Sequence, residues 1–412
     1  MDPDPAADWA RSGLVALTGR ADGPPLIPPG RAATVAAELA ARFAAITGVH
    51  VDGARLLSER AALTGQRRRG TVSVGGSCRL LPARDGWAAV SCARPDDAAL
   101  LGALAGQDAG DDPWSAVTRW LGGHTGPELA ERAEMLGIAA SPVLPVRPAP
   151  AAACPPTSAR VRPPAARPLA GRLVADFSAL WAGPLCAHLL GLAGARVVKV
   201  ETPWRPDGAR RGNAAFYRLL HAGHRSVILD PHTSHGREAM AALVQAADVV
   251  VESSRPRALA GFGLDAHRAA ADGTTWVSIT AYGRASNRVG FGDDVAAGAG
   301  LVARDADGRP LFCGDAIADP LTGLAAAVLA AAAPAGGALL DIAMSDVVAA
   351  TLDPADDGSQ RSAAARYDRG GWVVDAAGGP VSVAAPRRRP ARGPAAAPGQ
   401  HTVEVLATLG IR

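Results

Sequence analysis

Apolar positions in this chain follow two different rhythms. Over 31–47, Val35, Leu39, Phe43 and Ile46 recur at helical spacing in an alanine-rich background, predicting an amphipathic helix that stops at Gly48. A second helix is predicted over 51–63 through Leu56, Leu57 and Leu63. Residues 79–81 and 87–91 predict a hairpin around Asp85-Gly86, with helices onward to Gly137. Beyond about residue 168, short apolar runs bounded by helical patterns take over. Strands are predicted at 173–177, 196–200, 226–229, 249–251, 276–279 and 339–343. Helices are predicted from Ala182, around Met240 and Leu243, and over 324–332. Strand and helix in regular alternation imply a doubly wound parallel sheet, so the expected fold class is α/β with a smaller α+β domain.

The stretch 143–168 is too rich in proline for a helix or a central strand and reads as an extended linker. The expected division is a smaller domain over 1–143, a linker over 144–168, a Rossmann-like domain over 169–350, and a return segment with a closing helix over 351–412. No internal repeat occurs at solenoid periods.

Composition narrows the classes. No apolar run approaches the ~18 residues that span a bilayer, and the first residues lack the pattern of a secretion signal. Five widely spaced cysteines, Cys78, Cys92, Cys154, Cys186 and Cys313, form no CxxC pair. Reduced thiols, a cytoplasmic location and no metal are expected. A formal charge of +3 argues against nucleic acid as a partner.

Two features carry candidate chemistry. The unit 172–201 places Pro184 where a helix begins after a strand, and the exposed N–H groups there suit an anion. Glu201 ends the next strand as in nicotinamide enzymes, but Ala179-Leu180-Trp181-Ala182-Gly183-Pro184 lacks the G-x-G-x-x-G turn. A cationic series follows, Arg205, Arg210, Arg211, Arg218, His224, Arg225, Arg255 and Arg257. It is either a solvated rim or, gathered on one sheet edge, a seat for a polyphosphorylated ligand. The loop Val72-Ser73-Val74-Gly75-Gly76-Ser77 is either an ordinary turn or a flexible cover for a ligand.

These residues resemble the family III CoA-transferases, which include formyl-CoA transferase, carnitine CoA-transferase and α-methylacyl-CoA racemase. The matching pieces are Asp176-Phe177-Ser178 with Ala182-Gly183-Pro184, Gly194 to Glu201, Gly223-His224-Arg225-Ser226-Val227, Ala247 to Glu252, Arg255-Pro256, and Ala318-Asp319 with Thr322-Gly323. The resemblance implies CoA and acyl-CoA as substrates with no permanently bound cofactor, a carboxylic acid as co-substrate, a Rossmann-like CoA domain and an interlocked homodimer. It makes Asp319 the nucleophile, Asp294 a supporting acid or acceptor, and Gly75 and Gly76 a loop that shields the intermediates. Leu180, Ala182, Gly183, Arg205, His224, Arg225, Arg255 and Arg257 become the expected CoA contacts.

Four departures accompany the match. Segments 79–93 and 137–143 resemble the start and end of the family's smaller domain, which elsewhere follows the CoA domain; here they precede it, implying a rearranged order. His224 stands where lysine is common, and Arg257 follows Arg-Pro in place of glycine. Asp293 occupies the position of the racemases' histidine, which favours a transferase over a racemase. A CoA-binding or assembly protein without catalysis is the third reading. Asp319 directly precedes Pro320, so it is expected to cap the helix and be held ionised by the helix N-terminus.

Overall fold

The computed structural model describes residues 4–106, 112–143, 168–254, 256–355 and 359–411. Its centre is a six-stranded, wholly parallel sheet in the spatial order Ala338–Ala343, Thr275–Thr280, Val249–Glu252, Leu173–Asp176, Arg196–Glu201, Arg225–Ile228. Because successive side chains leave a strand on opposite faces, Val174 and Val251 enter one core while Ala175 and Val250 enter the other. Helices Ala182–Leu192 and Ala318–Ala331 cover the first face, and Ser234–Ala246 and Ala266–Ala271 the second. The sheet is therefore doubly wound, as the strand-helix alternation predicts. Each predicted strand is found within a residue or two of its expected bounds.

Residues before the linker divide differently from the expectation. Trp9, Leu14, Val35, Leu39, Phe43, Leu56 and Leu57 share one core with Leu185, Leu321 and Leu324 of the large domain. A separate core holds Leu81, Val90, Leu101, Leu121, Leu129 and Ile138. Stretch 1–143 is thus not one unit. Its first half, with helices Pro5–Ser12 and Ala32–Thr47, belongs to the large domain. Its second half is a three-stranded antiparallel sheet, Cys78–Ala83, Gly86–Ser91 and Ala140–Pro142, with helices Asp97–Ala105, Pro113–Leu121 and Gly126–Leu136. The physical reason is apolar continuity: the stripe of Ala32–Thr47 finds its partner in the Ala318–Ala331 helix, not in the small sheet.

The helix expected over 51–63 is broken into Gly53–Leu56 and Glu59–Thr64. Gly53 lies so close to the preceding helix that a Cβ would stand 1.9 Å from the Ala36 carbonyl oxygen, and the buried Ser58 hydroxyl donates to the Ser12 carbonyl at 2.9 Å. The linker expected over 144–168 lies, but for its last residue, outside the described residues, as does Cys154. After the sheet, the chain forms three antiparallel strands, Arg366–Asp368, Gly371–Ala376 and Gly379–Ser382. The proline-rich run then returns across the molecule, tied by Arg389 to Glu59 at 2.7 Å, and ends in helix Thr402–Thr408 beside the edge strand, where Thr402 accepts from Ile228 N–H at 3.1 Å. Among the described residues no helix is long and apolar enough to cross a membrane.

Candidate active site

Asp319 is the second residue of helix Ala318–Ala331, one turn before Gly323. That helix packs against the N-terminal end of helix Ala182–Leu192. A Cβ at Gly323 would meet the Ala182 carbonyl oxygen at 2.5 Å, so glycine lets the two backbones approach. Since helix Ala182–Leu192 follows strand Leu173–Asp176, this contact sets Asp319 at the carboxyl edge of the sheet, where doubly wound folds bind ligands. The side chain is part-buried, not sealed. It lies against Gly292, whose missing Cβ would stand 2.4 Å from Asp319 Oδ2.

Three carboxylates, Asp315, Asp293 and Asp319, gather here around the Arg60 guanidinium, and Asp294 adjoins Asp293. Arg60, from helix Glu59–Thr64, donates through Nε to Asp315 Oδ2 at 2.9 Å and through Nη2 to Asp315 Oδ1, and Asp315 is fully buried. The same guanidinium stands 5.0 Å from the centre of the Trp181 ring. Asp293 accepts from the Ala316 N–H at 2.9 Å and from the Ser73 hydroxyl. Asp294 accepts from the Phe291 N–H at 2.9 Å and from the Ser91 hydroxyl at 2.8 Å, capping helix Gly292–Gly298. The Gly75 loop closes the group: a Cβ on Gly75 would be 3.3 Å from Arg60 Nη2 and 3.9 Å from Asp315 Oδ1. Gly76, at φ 84°, turns the loop back on itself.

Burial and crowding govern the charges. Desolvation pushes the Asp319 carboxyl up to about 7; Arg60 opposes the shift, while Asp293 and Asp315 add to it. Asp293 is raised to about 6 by burial and by Asp315, and Asp294 to about 7, chiefly by burial. Asp294 Oδ2 has no hydrogen-bond partner among the described residues, in keeping with a carboxyl that resists ionisation. The expectation that the helix terminus holds Asp319 ionised is therefore overturned: Asp319 sits inside the helix rather than at its cap, and desolvation outweighs the helix field. All three carboxyls are raised above their unfolded values, so the native state binds more protons than the unfolded chain. The stability they contribute is present below pH about 4 and is lost as pH rises toward 7. Urea unfolding from pH 4 to 8 is expected to show this decline, flattened in Asp294→Asn.

The expected CoA contacts separate. Leu180 is exposed at the carboxyl edge with φ 71°, and its N–H donates to Asp207 Oδ1 at 3.0 Å. Burial disfavours the Asp207 charge, yet Lys199 and His221 hold its carboxyl well below the usual range. Lys199 Nζ lies 3.2 Å from Asp207 and 3.7 Å from Asp176, all three fully buried, so this ion group braces the Leu180 turn from below. Gly183 faces inward: a Cβ would be 2.1 Å from that of Ser178. Arg205 and Arg257 are exposed after the carboxyl ends of their strands.

His224 and Arg225 do not join them. They enter strand Arg225–Ile228 at its amino end, on the opposite edge of the sheet; His224 is buried and Arg225 pairs with Glu404 at 3.0 Å. The cationic series is thus not gathered on one edge. Arg210 is occupied as well, bonding Glu201 at 2.8 Å through Nε, which also removes Glu201 as a ribose holder. Arg255 lies outside the described residues. Sequence reasoning missed Arg60, Asp315, Ser91 and Trp181 as parts of the site. Nothing local marks them, since Arg60 and Asp315 are 255 residues apart in the chain.

Residues 169–364 match the model of CoA-transferase family III. Succinate–glutarate CoA-transferase of Agrobacterium fabrum is 32% identical over 212 residues, covering 45% of this chain and 53% of that protein. Formyl-CoA:oxalate CoA-transferase of Escherichia coli is 31% identical over 171 residues, 38% of this chain and 41% of that protein. The chain thus spans about half the length of the curated relatives it matches. A solved CaiB/BaiF family protein from Brucella suis is 30% identical and aligns over 45% of this chain and 55% of its own, with a TM-score of 0.41.

Proposed function

With residues 169–364 matching the model of CoA-transferase family III, we propose that this protein moves CoA from an acyl-CoA donor to a carboxylic acid acceptor, with Asp319 as nucleophile. The observation that carries this reading is a part-buried Asp319 at the carboxyl edge of the sheet, within the field of a guanidinium that Asp315 fixes and the Gly75 loop packs against. The Asp319 carboxylate attacks the thioester carbonyl, and the C–S bond breaks to give an aspartyl-acyl anhydride and CoA thiolate. The thiolate then attacks the aspartyl carbonyl, releasing the donor acid as carboxylate and leaving an aspartyl-CoA thioester. The acceptor carboxylate repeats the two steps in reverse, taking CoA away and freeing Asp319. No proton changes hands over the cycle.

Each neighbour has a part in this scheme. Arg60 draws Asp319 toward its charged form and stabilises the oxyanions that develop beside it. The Gly75-Gly76 loop excludes water, which would hydrolyse the anhydride. Asp294, held by Ser91 and Phe291, is a positioning residue for the turn that carries Gly292. Leu180, Arg205 and Arg257 border the path of the nucleotide. Asp293 accepts a backbone N–H, which gives no support to the racemase reading.

Trapping with hydroxylamine tests the proposal. The protein is incubated with succinyl-CoA or formyl-CoA, the donors suggested by the relatives' names, and then with hydroxylamine. Peptide mass analysis is expected to find the hydroxamate at Asp319. A protein that binds CoA yet stays unmodified with every donor would be a binding protein without transfer chemistry.

A further inference from the structure

Two stretches far apart in the chain carry the same pattern. Gly13-Leu14-Val15-Ala16, Ala21-Asp22-Gly23 and Pro25-Leu26 recur in order as Gly300-Leu301-Val302-Ala303, Ala306-Asp307-Gly308 and Pro310-Leu311. Each stretch follows a short helix, Pro5–Ser12 or Gly292–Gly298, and precedes a long one, Ala32–Thr47 or Ala318–Ala331. Counted on from Leu26 and Leu311, Leu39 and Phe43 take the places of Leu324 and Val328, and all four are buried. On the same count Thr34 takes the place of Asp319. Thr34 is buried and its hydroxyl donates to Asp8 Oδ2 at 2.7 Å, so the first copy offers no nucleophilic carboxylate at that position.

The copies are fastened to each other. Arg20 of the first donates through Nε to Asp305 of the second at 2.9 Å and through Nη2 to Asp307 at 2.7 Å. Gly314 N–H donates to Thr18 Oγ1 at 3.1 Å, and a Cβ on Gly314 would be 2.4 Å from Leu14 Cδ2. The two long helices share one core, and nearly the whole Ala318–Ala331 helix is enclosed by it and by helix Ala182–Leu192. The chain that continues from the first copy then delivers Arg60 and Gly75 to the second copy's Asp315, and the Arg60 charge acts on Asp319.

We infer that the N-terminal copy is a non-catalytic duplicate of the Asp319 unit which completes the site from within one chain, so that this protein works as a monomer and not as the homodimer the resemblance implies. The surface agrees. Among the described residues the exposed large apolar side chains are Met135, Leu180, Trp204, Tyr367 and Val403, scattered over separate elements. An obligate dimer buries about 2,000 Å² or more around a contiguous apolar centre, whereas these five side chains come from separate elements.

Two measurements on the full chain decide this. Light scattering behind size exclusion, at micromolar concentration, is expected to give the mass of one chain; a dimer mass overturns the inference, whether or not the protein transfers CoA. The second rests on the transferase reading and mixes two inactive chains, Asp319→Asn and Gly75→Val. A site assembled within one chain regains no activity on mixing. Regained activity would mean that the site is shared between chains, and the inference would fall.

Discussion

Replacing Asp319 with Asn is expected to lower CoA transfer by on the order of 10⁴-fold or more, because the amide cannot form the anhydride on which both half-reactions depend. CoA should still bind, since the proposed nucleotide path borders Leu180, Arg205 and Arg257 rather than Asp319. The substitution nearly preserves shape, so the fold should survive, and its effect on stability has a defined sign. Asn carries no ionisation cost, whereas the Asp319 carboxyl, raised to about 7, is increasingly penalised as pH climbs above 4. Asp319→Asn should therefore match the parent near pH 4 and exceed it at pH 8 in urea unfolding. Loss of CoA binding together with transfer would show that the residue shapes the pocket instead of reacting. The same raised carboxyl predicts that transfer by the parent protein rises with pH through about 7, as the nucleophile ionises.

Arg60→Ala should be the costliest single change to stability outside the apolar core. Asp315 is fully buried and Arg60 is its charged partner, so removal strands a carboxylate in the interior at about 3–5 kcal/mol. Arg60 also opposes the rise of Asp319 and Asp293, so without it both carboxyls should ionise at higher pH. The pH dependence of transfer should then move upward, with a midpoint above that of the parent. Arg60→Lys keeps the charge but not the two-point contact, and should recover part of the stability. An unchanged pH midpoint in Arg60→Ala, at a temperature where the variant is folded, would show that Asp319 does not sense the guanidinium.

Much of the site's frame is local and could be read directly. The turn from Asp176 to Pro184 is bounded by an apolar strand and an alanine-leucine helix, and a helix begins at Ala182 as that pattern requires. Asp319 and Gly323 are spaced by about one helical turn, so a single helix brings one to the site and the other to a close backbone contact. The edge on which His224 and Arg225 fall was legible too. Both stand immediately before the strand predicted at 226–229, and in a parallel sheet residues that enter a strand lie opposite those that leave one.

The sequence by itself determined the doubly wound sheet and the hairpin of the small domain, because each follows from periodicity or turn chemistry within some thirty residues; the candidate nucleophile came from the family resemblance. Tertiary structure alone decided which half of 1–143 joins the large domain, that Arg60 meets Asp315, and that burial raises Asp319 instead of the helix terminus lowering it. These outcomes depend on which apolar faces close against each other across the chain, and on how much water that closure removes from a charged group. Neither quantity is written in the spacing of neighbouring residues.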